Sequence, residues 1–485
     1  MHFIDYAIFA VYLFIMLGIG VYFMYRNKGV EDYYVGGRNI GSWHIGLSVV
    51  ATDVGGGFSI GLGGLGFTMG LAGSWLLFTG LVGAWLAAVL LIPRVKALES
   101  QQKFYTFPQI FGHFYNKNVA LLAGIISGIG YIGFTSSQIL AGAKLASATI
   151  TPLDLSTALI IMGVVVIVYT FMGGIQAVIY SDTIQWIILM VGLIFIGIPL
   201  AVYKLGGVTA IVAALPERFL RLDNISFIQI LNWAISIIPI WFVGMTLYQR
   251  IYACRNEKEA KKAWFIAGLF EYPVMAFMGV LLGLLARVAL TQGLFAELGY
   301  VNSQDLDEEM GLPILLRTVL PVGLLGLMLS AYFSAIMSTA DSCLMAASGN
   351  LVTDILGRFF NYSEKKLLRI SQIATLVLGI VALTLAIFME NVLTLMLHSY
   401  AFMVSGLLVP LVGALFWRVQ HAQAALWAML VGGSVTLSLI ISEIPLWGGL
   451  DANIFGITAS LLIYLIIIQF SQPSKTHAHT HSTTH

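Results

Sequence analysis

Residues 51–73 read "ATDVGGGFSIGLGGLGFTMGLAG". The stretch is apolar enough to lie in a bilayer, yet nine of the nineteen residues from Gly55 to Gly73 are glycine, and Asp53 stands directly before them. Glycines at this density either let two helices approach closely or mark a place where a spanning helix is interrupted. Unwound backbone is tolerated at membrane depth only where protein or a cavity surrounds it. A carboxylate there costs roughly 2.5–3.5 kcal/mol on insertion scales. With Asp53 beside the glycines, the interruption is favoured. "GLGGLG" at 61–66 also fits the dinucleotide pattern, but no strand precedes it and it lies inside a span, so that reading is rejected.

Composition sets the class. Of 485 residues, 59% are hydrophobic and 10% charged, with mean hydropathy +0.91; soluble proteins carry about 25% charged residues. The chain is expected to be an all-α polytopic membrane protein of the cell (inner or plasma) membrane, with no nucleic-acid partner and no obligate protein partner. Cys254 and Cys343 fall on a basic loop and inside a span, so no disulfide framework is implied. The N-terminal apolar run is too long for a signal h-region and lacks a basic n-region, which makes it an uncleaved first span.

Apolar runs of about 20 residues occur thirteen times, at approximately 4–25, 41–69, 73–95, 118–148, 156–172, 178–201, 226–249, 263–290, 314–348, 368–389, 392–416, 423–442 and 453–470. With the N-terminus outside, 18 of the 24 Lys and Arg fall on the cytoplasmic side; Lys144, Lys204, Arg218, Arg221, Arg287 and Arg317 do not. The bias gives N-out, C-in. The acidic outer loop "FAELGYVNSQDLDEEMGL" is expected to fold as a short helix over the surface. Span 7, "NWAISIIPIWFVGMTLYQR", is interrupted by Pro239. Spans 2 and 7 each open a set of five, and paired interruptions at corresponding positions point to an inverted-repeat transporter with its site at the breaks. Residues 1–470 then form one transporter domain: repeat one about 41–201, repeat two about 226–416, and extra helices at 4–25, 423–442 and 453–470. Residues 471–485 are a disordered, His-rich cytoplasmic tail.

Four acidic residues lie within spans: Asp53, Asp182, Glu271 and Asp341. Together they cost roughly 10 kcal/mol to insert on the low scale. As a helix, span 9 ("GLMLSAYFSAIMSTADSCLMAAS", 326–348) puts Ser334, Ser338, Asp341, Ser342 and Met345 on one face, with Ala335 and Thr339 on the adjoining stripe. Oxygens in this density suit a hard cation; no Cys/His cluster accompanies them, so no softer metal is expected. The bland alternative has the serines bonding their own helix carbonyls and Asp341 pairing with a basic residue. It is weakened because no Lys or Arg is assigned to the inner half of the membrane.

These motifs carry a resemblance. "YYVGGRNIG", "VYTFMGGIQAVIYSDTIQ", "YQR" and "AIMSTADS" resemble signatures of the sodium/solute symporter family, over about residues 5 to 470. The resemblance implies a leucine-transporter-type 5+5 inverted repeat with about 13 transmembrane helices, and sodium as the coupling ion. It carries the principal sodium site onto the carbonyls of Ala51, Val54 and Ala335 and the hydroxyls of Ser338 and Thr339, with Asp53 as neighbour. A second cation site, known in sialic-acid-type members, maps to Asp182, Ser338, Asp341 and Ser342.

The solute is expected at the midplane. Candidates to touch it are Phe58, Ser59, Tyr131, Gln138, Trp241, Thr246, Glu271 and Tyr400, although membrane aromatics more often serve packing or the interface. Glu271 alternatively pairs with Arg250, and His44 and His398 read as helix-end residues. The resemblance implies choline-type members with tryptophan at the positions of Asp53 and Gly244, so an aromatic cage for quaternary ammonium lacks two walls. The expected function is sodium-driven import of a small organic solute, an amino acid such as proline or a small organic acid. Choline, other quaternary ammonium compounds or a sugar are the alternatives. An uncoupled facilitator or a membrane sensor are the alternative classes, and no enzyme constellation is found.

Overall fold

The computed structural model describes residues 1–26, 30–150, 152–173, 175–360, 363–417 and 420–470. Among these residues it is helical, with no strand and one isolated bridge, Ile40 to Cys254. The long helices are α1 (Phe3–Arg26), α2 (Ser42–Met69), α3 (Trp75–Leu86), α4 (Lys117–Thr149), α5 (Leu155–Gly173), α6 (Ile175–Gly192), α7 (Phe227–Val243), α8 (Met245–Ala253), α9 (Glu257–Leu269), α10 (Ala276–Thr291), α11 (Leu324–Gly349), α12 (Glu364–Ile387), α13 (Val392–Val412), α14 (Ala422–Ser442) and α15 (Ala452–Phe470). Among the described residues nine helical stretches are long and apolar enough to cross a membrane, and α7–α8, bent by 43°, makes a tenth. Phe3–Met16 and Leu155–Phe171 are apolar but shorter. The His-rich tail lies outside the described residues.

Burial orders the bundle. The most apolar window of α11 is 89% buried, against 33% for α12 and 22% for α15. The serine- and aspartate-bearing helix is therefore the centre, and α12 and α15 face outward. α11 packs on α1, α2, α4 and α6.

The glycines of α2 serve both purposes that their density allows. Gly55 has φ +31° and ψ −159° inside the helix, a conformation that L side chains rarely adopt, and a Cβ there would fall 2.6 Å from Thr339 Oγ1. That residue is the break. Further along, a Cβ on Gly66 would meet the Val280 carbonyl oxygen at 2.1 Å, and one on Gly283 of α10 would meet the Gly63 carbonyl oxygen at 1.9 Å. There the glycines bring α2 and α10 into backbone contact, the packing alternative.

The second interruption is not at Pro239. That proline lies inside α7, which runs on to Val243; the chain turns extended at Gly244, φ −72° and ψ 114°. Proline removes one N–H and crowds the preceding turn, but α7 continues through it. A third interruption, absent from the sequence reading, falls at Tyr272 between α9 and α10, with φ −137° and ψ 125°.

The acidic loop before α11 is also not a helix lying over the surface. It makes short 3₁₀ turns at Ala296–Leu298 and Glu308–Met310 and sends Glu309 inward, 1% exposed. Glu309 accepts from Lys144 of α4 at 2.7 Å and from the Val392 and Leu393 backbone N–H groups at 2.9 and 3.0 Å. A carboxylate here satisfies the orphan donors that begin α13 and meets the positive end of its dipole. Removing one partner of a buried pair costs about 3 kcal/mol or more. Lys144→Met should therefore lower the unfolding temperature of the detergent-solubilised protein clearly; an unchanged temperature would mean that the pair holds nothing.

Candidate functional site

Breaking a helix inside a membrane frees backbone N–H groups that must find acceptors. Both are supplied by α4. Gly56 N–H, just past the first break, donates to Gln138 Oε1 at 2.8 Å. Thr246 N–H, just past the second, donates to the Tyr131 hydroxyl at 3.1 Å, and the Thr246 hydroxyl lies 3.0 Å from the same oxygen. Tyr131 and Gln138 are seven residues apart, on one helical face. Two residues expected to touch solute thus hold the breaks open.

Around the first break, Thr339 Oγ1 lies 3.1 Å from the Ala51 carbonyl oxygen and 3.1 Å from that of Ala335. Three of the five positions carried over for sodium therefore meet at one point. One hydroxyl proton can serve only one of the two carbonyls at a time, which leaves oxygen lone pairs facing a common centre. Ser338, one position earlier, turns instead to Asp182. The side chains of Val54, Phe58 and Ser59 lie outside the described residues.

The serine–aspartate face of α11 fans out to different neighbours. Ser338 donates to Asp182 of α6, Thr170 of α5 donates to Asp341, and Ser342 accepts from Arg250 of α8 at 3.0 Å. The Asp341 Oδ2 atom is buried without a donor.

Arg250 corrects the sequence reading. It is 0% exposed, a basic residue buried among the helices where none was expected. Its guanidinium donates to Ser48 Oγ at 3.0 Å and Thr52 Oγ1 at 2.5 Å, both on α2, and to the Thr246 carbonyl at 3.2 Å; it lies 3.6 Å from Asp182 Oδ2. Asp182 also accepts from Ser48 at 2.5 Å. A planar fork with five donors suits such a junction of helices. The pair is with Asp182, so the expected Glu271–Arg250 pairing does not form. Glu271 instead interacts electrostatically with Asp53, and a Cβ on Gly80 of α3 would fall 1.7 Å from its Oε1.

Tyr400 of α13 donates to Asp53 Oδ1 at 3.4 Å, and its ring meets Phe134 edge-on at 5.1 Å. Trp241 is fully buried and packs on Gly83 of α3. It also stands edge-on to Trp264 at 6.4 Å. His44 lies 3.0 Å from the Thr183 hydroxyl in the first turn of α2. Glu271 sits where the helix breaks at Tyr272, and Pro273 in "EYP" was the unread signal. The burial of Arg250 had no signal of its own: "YQR" looks like the end of a span.

Arg250→Met should cost about 3–5 kcal/mol of stability by stranding the Asp182 carboxylate. Adding Asp182→Asn should recover most of that. Thermal unfolding of both single variants and the double variant gives the coupling; additive losses would mean that the two groups do not depend on one another.

The model of the sodium:solute symporter family matches residues 33–432. The high-affinity proline transporter PutP of Bacillus subtilis is 28% identical over 477 residues, 95% of this chain and 97% of that one. The sodium/glucose cotransporter of Vibrio parahaemolyticus is 26% identical, across 97% of this chain and 90% of its own. Among solved structures, a Na+-coupled sialic acid symporter in a substrate-bound outward-open state shares the fold, with TM-score 0.79 and 21% identity over 98% of this chain and 99% of that one. With broken helices around a buried carboxylate and a matched family model spanning most of its length, this multi-pass cell-membrane protein belongs to the sodium:solute symporter family.

Proposed function

We propose that the protein imports a small organic solute by sodium-coupled alternating access, with an amino acid such as proline, or a small organic acid, as the cargo. The carrying observation is the convergence of the Ala51 and Ala335 carbonyls on the Thr339 hydroxyl, beside a break that only glycine permits. Relatives named for proline and for glucose transport keep a sugar as the alternative solute. An uncoupled facilitator would have no use for an oxygen cluster of this kind.

In this reading the chain has thirteen spans, N-out and C-in. The count divides the long Ile60–Gln101 stretch at the Gly70–Ser74 turn and includes the two shorter apolar helices; the orientation rests on the 18 of 24 basic residues on one side. The repeats are about 41–201 and 226–416, each opening on a broken helix. Sodium in the Ala51, Val54, Ala335, Ser338 and Thr339 cluster ties the α2 break to α11. Asp53 supplies negative charge next to it.

Uptake into proteoliposomes should require an inward sodium gradient and respond to membrane potential, since each charge moved is worth about 2.3 kcal/mol per 100 mV. Equal uptake with choline replacing sodium at fixed pH would sink the symporter reading. Thr339→Ala and Ser338→Ala should raise the sodium concentration for half-maximal uptake, and Asp53→Asn should raise it further or abolish uptake. Three unchanged sodium curves would place the ion elsewhere.

A second sodium at Asp182, Ser338, Asp341 and Ser342 is favoured by one observation, the donorless Asp341 Oδ2. It requires the Arg250 guanidinium to leave Asp182 and Ser342. The charge-to-solute ratio decides: a drop in Asp182→Asn and Asp341→Ser relative to wild type supports two ions, whereas a common ratio leaves Arg250 as the resident cation.

A further inference from the structure

Of the three helix interruptions, two carry a carboxylate beside them: Asp53 before Gly55, and Glu271 before Tyr272. Asp53 is 6% exposed and Glu271 is 0% exposed. The segment around Tyr272 packs on α2, which brings the two carboxyl groups close enough to interact electrostatically without a hydrogen bond between them; ionised carboxylates are acceptors only. Among the described residues Asp53 Oδ2 and both Glu271 oxygens have no donor, and Asp53 Oδ1 has Tyr400 at 3.4 Å. No basic side chain forms an ion pair with either among the described residues: the Arg250 guanidinium is committed to Ser48, Thr52, Thr246, Ser342 and Asp182. Buried carboxylates without donors are expensive unless a cationic group completes the site.

We propose that the Asp53–Glu271 pair is the seat of a protonated amine on the transported solute, so that the cargo is a zwitterion or an organic cation rather than a sugar or a simple carboxylate. An ammonium brings several N–H donors to three waiting oxygens. A bare inorganic cation wants a fuller shell of oxygens, and among the described residues the one hydroxyl bonded to this pair is that of Tyr400; the carbonyl-rich cluster is the separate one at Ala51, Ala335 and Thr339. Beside the carboxyls stand the rings of Tyr400, Phe134 and Tyr131, in a chain with centroids 5.1 and 6.4 Å apart. Aromatic rings next to carboxylates suit both the apolar body of an amine and its charge. Glu271 Oε1 lies against the Gly80 backbone, where only a residue without a Cβ leaves room for the carboxyl.

The inference rests on the symporter reading only in taking this cluster as the solute site, and binding tests it without transport. The unfolding temperature of the purified full chain in sodium chloride is titrated with L-proline, L-alanine and pyrrolidine. Tetrahydrofuran-2-carboxylate, lactate and D-glucose, which lack the amine, serve as counterparts. The amines should stabilise at concentrations at least about tenfold lower than their counterparts, as expected for a charged hydrogen bond. In Glu271→Gln the proline-to-tetrahydrofuroate preference should collapse toward one, and Glu271→Asp, which keeps the charge, should retain part of it. A structural role alone would weaken all ligands together. Stabilisation by glucose or a carboxylate equal to that by the amines, no stabilisation by any amine, or an undiminished preference in Glu271→Gln would each overturn the proposal. Amine binding that persists while uptake proves sodium-independent would instead overturn the symporter reading and leave this one standing.

Discussion

Everything at the centre of this protein depends on a backbone problem. A helix interrupted inside a bilayer exposes N–H groups that neither lipid nor its own turns can accept. The solution here is two side chains on α4: Gln138 takes Gly56 N–H and Tyr131 takes Thr246 N–H. The heptad separation of these acceptors on one straight helix fixes the distance between the two breaks. Without them the carbonyls of Ala51 and its neighbours would have no reason to point away from the helix axis toward α11. Residues that look like solute contacts in the sequence are therefore first of all scaffold. Their substitution should disturb ion and solute together.

Charge is organised by the same logic of satisfaction. Arg250 is a cation within the fold and binds α2 through Ser48 and Thr52, α6 through Asp182, and α11 through Ser342. Of Asp53, Asp182, Glu271 and Asp341, it neutralises Asp182. Among the described residues Asp341 accepts from Thr170 alone, Asp53 accepts from Tyr400, and Glu271 has no donor. The protein so divides these acidic groups into one that is internally paired and three that are under-satisfied, and the latter are where mobile cations and cationic ligands gain most. At the opposite end of α4, Lys144 and Glu309 anchor the loop before α11 to the start of α13, away from these carboxyls.

The sequence by itself determined the class of the molecule. Hydropathy gives the spans because apolar length is set by bilayer thickness, and the glycine run announces a break because L side chains rarely adopt the conformation seen at Gly55. The α11 pattern was legible too: Thr339 could be placed against Ala51 because the motif that carries it resembles a known family. Tertiary structure alone decided the partners. Span 7 breaks at Gly244 and not at Pro239, because the place where Tyr131 can accept an N–H, rather than the proline, decides where the helix can end. "YQR" reads as a polar exit from a span, but Arg250 is buried because four polar groups from α2, α6 and α11 converge on it. The serines and aspartate of α11 share one face in the sequence, yet α5, α6 and α8 divide that face between them. Asp53 and Glu271 lie more than two hundred residues apart, and periodicity carries no information across such a separation; only the packing of α2 against α9, α10 and the turn between them brings the two carboxyls together.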